Sequence, residues 1–119
     1  MDENRLRSLL GLCRKAKCAR FGHDAAIASI RFGKAQLCLL SADASERLET
    51  EFVRAAETFA KETPIAVIRL PMGMKEIGAA TGLVSAVLTI DESGFAANIR
   101  KLLETSANPN ETITMEENT

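Results

Sequence analysis

Short apolar runs alternate with helix-patterned segments along the first hundred residues, and this alternation constrains the fold more than any other feature. In the first segment Leu6, Leu9, Leu10 and Cys13 recur every three or four residues, the period of one buried helix face. The pattern predicts helices over residues 4–15, 24–33, 45–61, 75–81 and 95–104. Between them it predicts short strands over residues 17–21, 36–40, 65–70 and 85–90.

Helices that alternate with strands cover both faces of a sheet, so the order of these segments predicts an α/β fold. The predicted architecture is a three-layer α/β/α sandwich with a small mixed four-stranded sheet. A length of 119 residues fits one domain, which is assigned to residues 1–104. From Thr105 onward the chain is polar and acidic without an apolar period, which predicts a disordered tail over residues 105–119.

Several residues at the predicted helix ends have the chemistry of caps. Asp24 is predicted as the cap or first-turn acid of the second helix, and Gly33 as its left-handed end. Ser45 is predicted to cap the third helix. Phe59 is expected on the buried face of that helix, and Gly82 to stop the fourth.

Composition excludes several classes of protein. The chain has five Phe and no Trp or Tyr, so few aromatic side chains are available for a sheet surface that stacks on bases. Cys13, Cys18 and Cys38 match neither a zinc ribbon nor a redox pair, which predicts reduced thiols with no metal and no cofactor. Without a secretory leader or a long apolar run, the chain is expected in the cytoplasm, away from membranes.

Charge is distributed unevenly along the chain. Residues 1–40 contain eight basic and three acidic groups, whereas residues 41–119 contain seven basic and thirteen acidic groups. A basic first third is what a phosphate-binding surface needs. The alternative, solvated helix faces that are charged by chance, stays open.

Few residues have the chemistry of a catalytic site. His23 is the only histidine, and the adjacent Asp24 is expected to point away from it. Asp43, Asp91 and Glu92 follow predicted strands, where turn formation and helix capping account for them. Phosphate-binding glycine motifs are absent. The sequence therefore predicts no catalytic residues and no small-molecule substrate.

A binding site is better supported at the start of the second helix. Gly22 lets the backbone approach a partner closely, and the helix start at His23 and Asp24 presents free backbone donors. Arg20 precedes this point, and Arg31 lies toward the far end of the same helix. The alternative is that Gly22 is only a turn residue between strand and helix.

Four blocks of the chain resemble, in family order, the bacterial YlxQ-type members of the kink-turn RNA-binding ribosomal protein superfamily. They are Leu9–Ala16, the stretch from Phe21 to Ser45, Glu76–Gly82 and Asp91–Ala96. Together they span about residues 6 to 103. The resemblance implies a ribosome-associated protein that recognises kink-turns, which are sharply bent RNA duplexes with sheared G·A pairs. RNA and ribosomal proteins are the partners it implies.

The resemblance also implies which residues contact RNA. In that superfamily a G-x-N-E-x-x-K stretch at a helix N-terminus binds the RNA, and an apolar loop before the last strand covers an extruded nucleotide. Gly22 keeps the glycine, and Asp24 stands at the asparagine position. Leu83 and Val84 fall in the apolar loop, which is shorter here. The predicted RNA-binding set is Arg20, Gly22, His23, Asp24, Arg31, Leu83 and Val84.

Two positions depart from the superfamily pattern. Ala25 replaces the glutamate and Ala28 the lysine. Each lost RNA contact is typically worth about 1–3 kcal/mol, so kink-turn affinity is expected to be reduced. Besides RNA binding, two other hypotheses stay open: a protein-interaction module that kept the fold, and a small enzyme or accessory domain that would use His23 with Asp24.

Overall fold

A computed structural model describes residues 2–60 and 64–107, with side chains described up to residue 104. Its helices are α1 Glu3–Lys15, α2 His23–Arg31, α3 Glu46–Thr58, α4 Met74–Thr81 and α5 Ser93–Ala107. Its strands are β1 Ala19–Phe21, β2 Leu37–Leu40, β3 Ala66–Arg69 and β4 Val87–Ile90. The last helix continues three residues beyond its predicted end, and residues 108–119 of the predicted tail lie outside the described part.

The four strands form one mixed sheet in the order β1-β4-β2-β3. Strand β4 pairs antiparallel with both β1 and β2, whereas β2 and β3 are parallel. All four residues of β2 and of β4 are buried, as expected for strands covered on both faces. The predicted α/β fold with a small mixed four-stranded sheet is confirmed.

Alternate residues of the central strands enter two different cores. Leu37, Leu39 and Ile90 pack with α1, α4 and α5 on one face of the sheet. Cys38 and Leu40 pack with Ala26 and Ile30 of α2 and Phe52 of α3 on the other face. This division follows from the two-residue period of a strand, and it makes three layers.

Helices α1 and α4 approach each other closely on the first face. A Cβ placed on Gly11 of α1 would come within 2.9 Å of the backbone oxygen of Ala80 in α4. From the next turn of α1, Arg14 Nη1 donates a hydrogen bond to the Thr81 carbonyl oxygen at 2.7 Å, where α4 ends. The absence of a side chain at Gly11 therefore sets the distance between these helices.

The helix ends agree with local chemistry in most places. Ser45 Oγ accepts from the Leu48 N–H at 3.1 Å, which confirms the predicted cap of α3. Gly33 has a φ of 72° and adopts the left-handed conformation predicted for it. Gly82, with a φ of 88°, ends α4 as predicted and is also left-handed. For α2, Gly22 occupies the cap position with no side-chain bond, so Asp24 is a first-turn acid.

Two details of α3 differ from the prediction. The helix ends at Thr58, because Phe59 takes a non-helical backbone conformation, and the predicted end at Lys61 lies outside the described residues. The Phe59 side chain is 38% exposed, so its expected burial was wrong. The guanidinium of Arg31 lies over its ring, with Cζ 5.8 Å from the centroid.

Strand β3 forms one edge of the sheet, and Arg69 at its end ties it to the chain that follows β2. Arg69 Nη1 donates to the carbonyl oxygens of Ser41, Ala42 and Ala44 at 3.2, 3.1 and 2.8 Å. Its other terminal nitrogen forms an ion pair with Glu49 of α3. One side chain therefore holds the turn between β2 and α3.

We expect Gly11→Ala to destabilise the protein by about 1–3 kcal/mol, because the new methyl group must push α1 away from a backbone atom of α4. The free energy of unfolding in urea measures this. Ser8→Ala on the exposed face of α1 is the matched control and should change stability little. Equal stabilities for the two variants would contradict the close contact.

We expect Arg69→Lys to cost about 1–3 kcal/mol, because lysine cannot bind three carbonyl oxygens and a carboxylate at once. The same conservative change at the exposed Arg47 provides the control. Denaturant unfolding of both variants should show a loss only for Arg69→Lys. A loss of the same size at Arg47 would point to a general effect of replacing arginine.

Candidate functional site

The turn between β1 and α2 depends on Gly22. Its φ of 95° lies where L side chains are strained, and a Cβ on it would meet no atom within 4 Å. Its N–H donates to the Val87 carbonyl oxygen at 3.0 Å, and its own carbonyl oxygen accepts from Ala26 at 3.0 Å. The backbone of this turn is therefore fixed, and the space above it is open to a partner.

The first turn of α2 has no side-chain cap. Backbone N–H groups at the first positions of a helix have no partner within the helix and carry a partial positive charge. The Asp24 side chain is fully exposed beside these donors. The helix start therefore offers both donors and a carboxylate acceptor to a ligand.

His23 lies between two carboxylates. Its Nδ1 is 2.9 Å from Asp24 Oδ1, and its Nε2 is 2.6 Å from Glu51 Oε2 on α3. Hydrogen bonds to Asp24 and then to Glu51 raise the pKa of His23 above its ordinary 6.5. Its ring also meets Phe52 edge-on at 5.6 Å. The expectation that His23 and Asp24 point apart was wrong, since the imidazole links them to α3.

The loop between α4 and β4 presents two apolar side chains. Leu83 is 38% exposed and Val84 is 70% exposed. The Leu83 N–H donates to Thr81 Oγ1 at 3.2 Å, which fixes the loop to the end of α4. Val84 also rests on Gly78, where a Cβ would lie 2.6 Å from Val84 Cγ2. The exposed Val84 side chain therefore packs directly against the backbone of Gly78, where no other side chain would fit.

This loop and the Gly22 turn lie at the same end of the sheet. Gly22 bonds to Val87, the first residue of β4, and the Ser41 N–H donates to the Ala86 carbonyl oxygen at 2.9 Å. Five of the predicted residues therefore come together, and we call this surface the glycine end. It consists of Gly22, His23, Asp24, Leu83 and Val84.

The two predicted arginines lie at the opposite end of the sheet. Arg20 pairs with Thr89, and its Nη1 donates to the carbonyl oxygens of Ala19 and Lys17 at 3.2 and 3.4 Å. Its Nε is 3.9 Å from Asp91 Oδ2, just beyond the end of β4. Arg31 ends α2, about 12 Å along the helix axis from His23. The structure does not bring either guanidinium to the glycine end.

Two further carboxylates lie near the glycine end, and sequence reasoning missed one of them. Glu51 was not recognised, because it is 28 residues from His23 and nothing in the local pattern of α3 marks it. Asp43 was interpreted as a turn or helix-capping residue, and its bond to the first residue of α4 confirms the capping. Its Oδ1 accepts from the Met74 N–H at 3.1 Å and so also links β2 to the start of α4. Both carboxylates make this end of the sheet more acidic than the sequence indicated.

Other kinds of site find little support in the described residues. Over 2–60 and 64–107 no cluster of three His, Cys, Asp or Glu side chains could hold a metal ion. Within the same ranges no helix is long and apolar enough to cross a bilayer. The three cysteines are unpaired, and burial raises the pKa of Cys13 and Cys38 to about 12. Both are therefore unreactive core residues.

Comparison with known proteins gives one family and several similar structures. The model of the ribosomal protein L7Ae/L30e/S12e/Gadd45 family matches residues 4–100. A solved protein of unknown function from Bacillus halodurans C is 22% identical, with a TM-score of 0.75, over 84% of this chain and 97% of that one. The Giardia lamblia 15.5kD RNA binding protein is 19% identical, with a TM-score of 0.64, over 87% and 88%. No curated protein sequence matches the chain.

The pKa of His23 predicts how stability changes with pH. Because the folded state raises this pKa, the charged imidazole stabilises the fold fully below about pH 6.5, and the contribution disappears as the pH rises through the folded value. The NMR titration of this only histidine should give a pKa above 6.5, and Glu51→Gln should lower it. In His23→Gln the pH-dependent contribution should be absent from the unfolding free energy. An unshifted pKa would contradict the two hydrogen bonds.

Proposed function

Because the chain belongs to the ribosomal protein L7Ae/L30e/S12e/Gadd45 family, we propose that it is a non-catalytic RNA-binding protein that recognises structured RNA of the kink-turn type. The proposed RNA is ribosomal or part of another cytoplasmic ribonucleoprotein in a bacterial cell. The similarity in fold to an RNA binding protein from Giardia lamblia supports this proposal. The order of the four resembling sequence blocks supports it as well.

The observation that carries the proposal is the meeting of two surfaces at the glycine end. The uncapped start of α2 follows the Gly22 turn, where a Cβ would meet no atom within 4 Å. The exposed apolar loop with Leu83 and Val84 lies at the same end of the sheet. Backbone donors and the Asp24 carboxylate can bond to base edges, and Val84 can pack on an unstacked base. Recognition of splayed bases by such groups is typical of structured RNA.

Charge at the glycine end favours contact with bases over contact with phosphates. His23 is flanked by the carboxylates of Asp24 and Glu51, so two negative charges lie beside a single imidazole. A carboxylate repels a phosphate but accepts hydrogen bonds from base amino and imino groups. We therefore propose that Asp24 accepts hydrogen bonds from a base, and that groups elsewhere on the protein contact the phosphates.

The proposed absence of catalysis is supported by the state of His23. Both of its ring nitrogens face carboxylate oxygens, and the hydrogen bonds to Asp24 and Glu51 raise its pKa. Because both nitrogens are engaged, neither is free to take a proton from a substrate, so His23 is unsuited to act as a general base. Its geometry fits a structural link between α2 and α3.

A protein-interaction module is the second candidate. The carboxylates at the glycine end, together with the 70% exposed Val84, would suit a basic peptide or protein. Such a partner would contact the same residues as the proposed RNA. The two candidates predict different RNA affinities: an RNA-binding protein of the kink-turn type prefers kinked RNA to a straight duplex, whereas a protein-interaction module does not.

The test is a titration against a labelled kink-turn RNA and a straight duplex of equal length, at two salt concentrations. We expect preference for the kinked RNA, and Val84→Ser should weaken that binding about tenfold, the scale of one lost base contact. Val53→Ser on α3, 37% exposed, is the control and should bind normally. Equal affinity for kinked and straight RNA would reject the proposed specificity and favour the protein-interaction module.

A further inference from the structure

The end of the sheet opposite the glycine end collects basic side chains that the proposed function does not use. We call it the basic end and define it by Lys17, Arg20, Arg31, Phe32 and Lys34. The Lys34 N–H donates to the Ser29 carbonyl oxygen at 2.9 Å, and Ser29 Oγ donates to Asp91 at 2.8 Å. Arg20 lies beside the same aspartate, and the Lys17 carbonyl oxygen accepts from Arg20. The link between α1 and β1, strand β1 itself, and the end of α2 with the residues after it thus converge here.

Most of this positive charge is available to a partner. Among residues 2–60 and 64–107, the side chains of Lys17, Arg31 and Lys34 form no ion pair, and all three are exposed. Arg31 is positioned over the Phe59 ring, which leaves its charge uncompensated. Arg20 is 45% exposed and only distantly paired with Asp91.

Acidic groups near the basic end are largely engaged with other partners. The Asp91 side chain is 10% exposed and accepts from Ser29 and Thr89. Glu92 accepts from the backbone of Gly94 and Phe95, and these bonds lower its pKa. In the part of the chain that the structure describes, Glu57 in the last turn of α3 is a further, exposed acid. These bonds leave the carboxylates charged, but the four basic side chains of this end outnumber the three acids, so the surface potential is expected to be positive.

The basic end also presents an aromatic ring. Phe32 is 72% exposed, the most exposed large apolar side chain of the described residues. It lies between Arg31 and Lys34 in sequence, at the end of α2. An exposed ring among cations is the combination that binds unpaired nucleotides, since the ring stacks on a base while the cations contact phosphates. An apolar protein partner would not require the surrounding positive charge.

The backbone conformation of Lys17 independently indicates that a basic side chain has a function at this surface. It has a φ of 60° directly after the cap of α1, a position where glycine is usual. It is the only non-glycine residue with positive φ among the described residues. Lysine costs stability in this conformation, and strained residues of this kind concentrate at functional surfaces.

We propose that the basic end is a second RNA-contacting surface, which takes a single-stranded segment flanking the structured RNA bound at the glycine end. Lys17, Arg31 and Lys34 bind its phosphates, and Phe32 stacks on one of its bases. This inference rests on the proposed function in one respect, namely that the ligand is RNA. It explains why the basic residues lie away from the helix start.

The experiment compares the kink-turn RNA with and without a single-stranded uridine extension, and the straight duplex with and without the same extension. The extension should tighten binding to wild-type protein on both RNAs. In the double variant Lys17→Gly with Lys34→Gln this gain should be lost, and the salt slope for extended RNA should fall by about 1.4. Phe32→Ser should weaken extended RNA about tenfold with no change in salt slope.

Controls separate a local effect from charge and folding. The double variant Arg54→Gln with Lys75→Gln removes the same charge from exposed positions outside the basic end and should keep the gain. Lys17→Gly relieves a strained residue, so the thermal midpoint should be unchanged or higher.

Two outcomes overturn the proposal. Equal effects of the two double variants would mean that net charge alone acts, and preference for the kink could still stand. An effect of Lys17→Gly with Lys34→Gln on binding of an oligo-aspartate peptide, but not of extended RNA, would assign the surface to an acidic protein. The comparison of kinked with straight RNA tests the proposed function separately. The gain in affinity from the extension is measured on both RNAs, so it does not depend on a preference for the kink.

Discussion

The structure depends on the antiparallel pairing of β4 with strands on both of its sides. Val87 at its start meets Leu40 of β2 and bonds to the Gly22 turn, whereas Ile90 at its end meets Ala19 and Leu37. Because β4 runs against both neighbours, the loop that precedes it must reach the end of the sheet where β1 turns into α2. Two segments about 60 residues apart in sequence therefore share one surface. The same pairing places Asp91 and the basic side chains at the other end, about 10 Å away along the strand.

Sequence reasoning succeeded where local chemistry decides the structure. Buried strands such as Leu37–Leu40 were recognised because continuous apolar residues need cover on both faces. Ser45 was recognised as a cap because its hydroxyl can reach a backbone donor three residues later. Gly33 and Gly82 were recognised because only glycine adopts a left-handed helix end at little cost. The family resemblance predicted that Gly22 and Val84 belong to one surface, and no local sequence pattern could have predicted this.

The features that could not be predicted depend on contacts distant in sequence. His23 faces Glu51 because α2 and α3 run side by side, and Arg31 meets Phe59 at the same spacing eight residues later. Arg20 precedes Gly22 by two residues, yet its guanidinium bonds back toward Lys17 and Asp91. Proximity in sequence thus placed Arg20 at the helix start, whereas its guanidinium points back along the strand. Arg31 was assigned to the same RNA surface although it lies toward the far end of the helix, and a nine-residue helix keeps it away from that surface.

Neither edge of the sheet offers a long template for another strand. Strand β1 has three residues, and β3 has four between Pro64 and Pro71, which lack backbone N–H groups. Arg69 also places a charge at the end of β3, a common protection against pairing between sheets. An extended peptide or a second copy would find few backbone groups to pair with, so addition of a strand is an unsuitable way to bind this protein. Recognition is left to helix ends and loops, and such surfaces can change their ligand while the sheet beneath them stays the same.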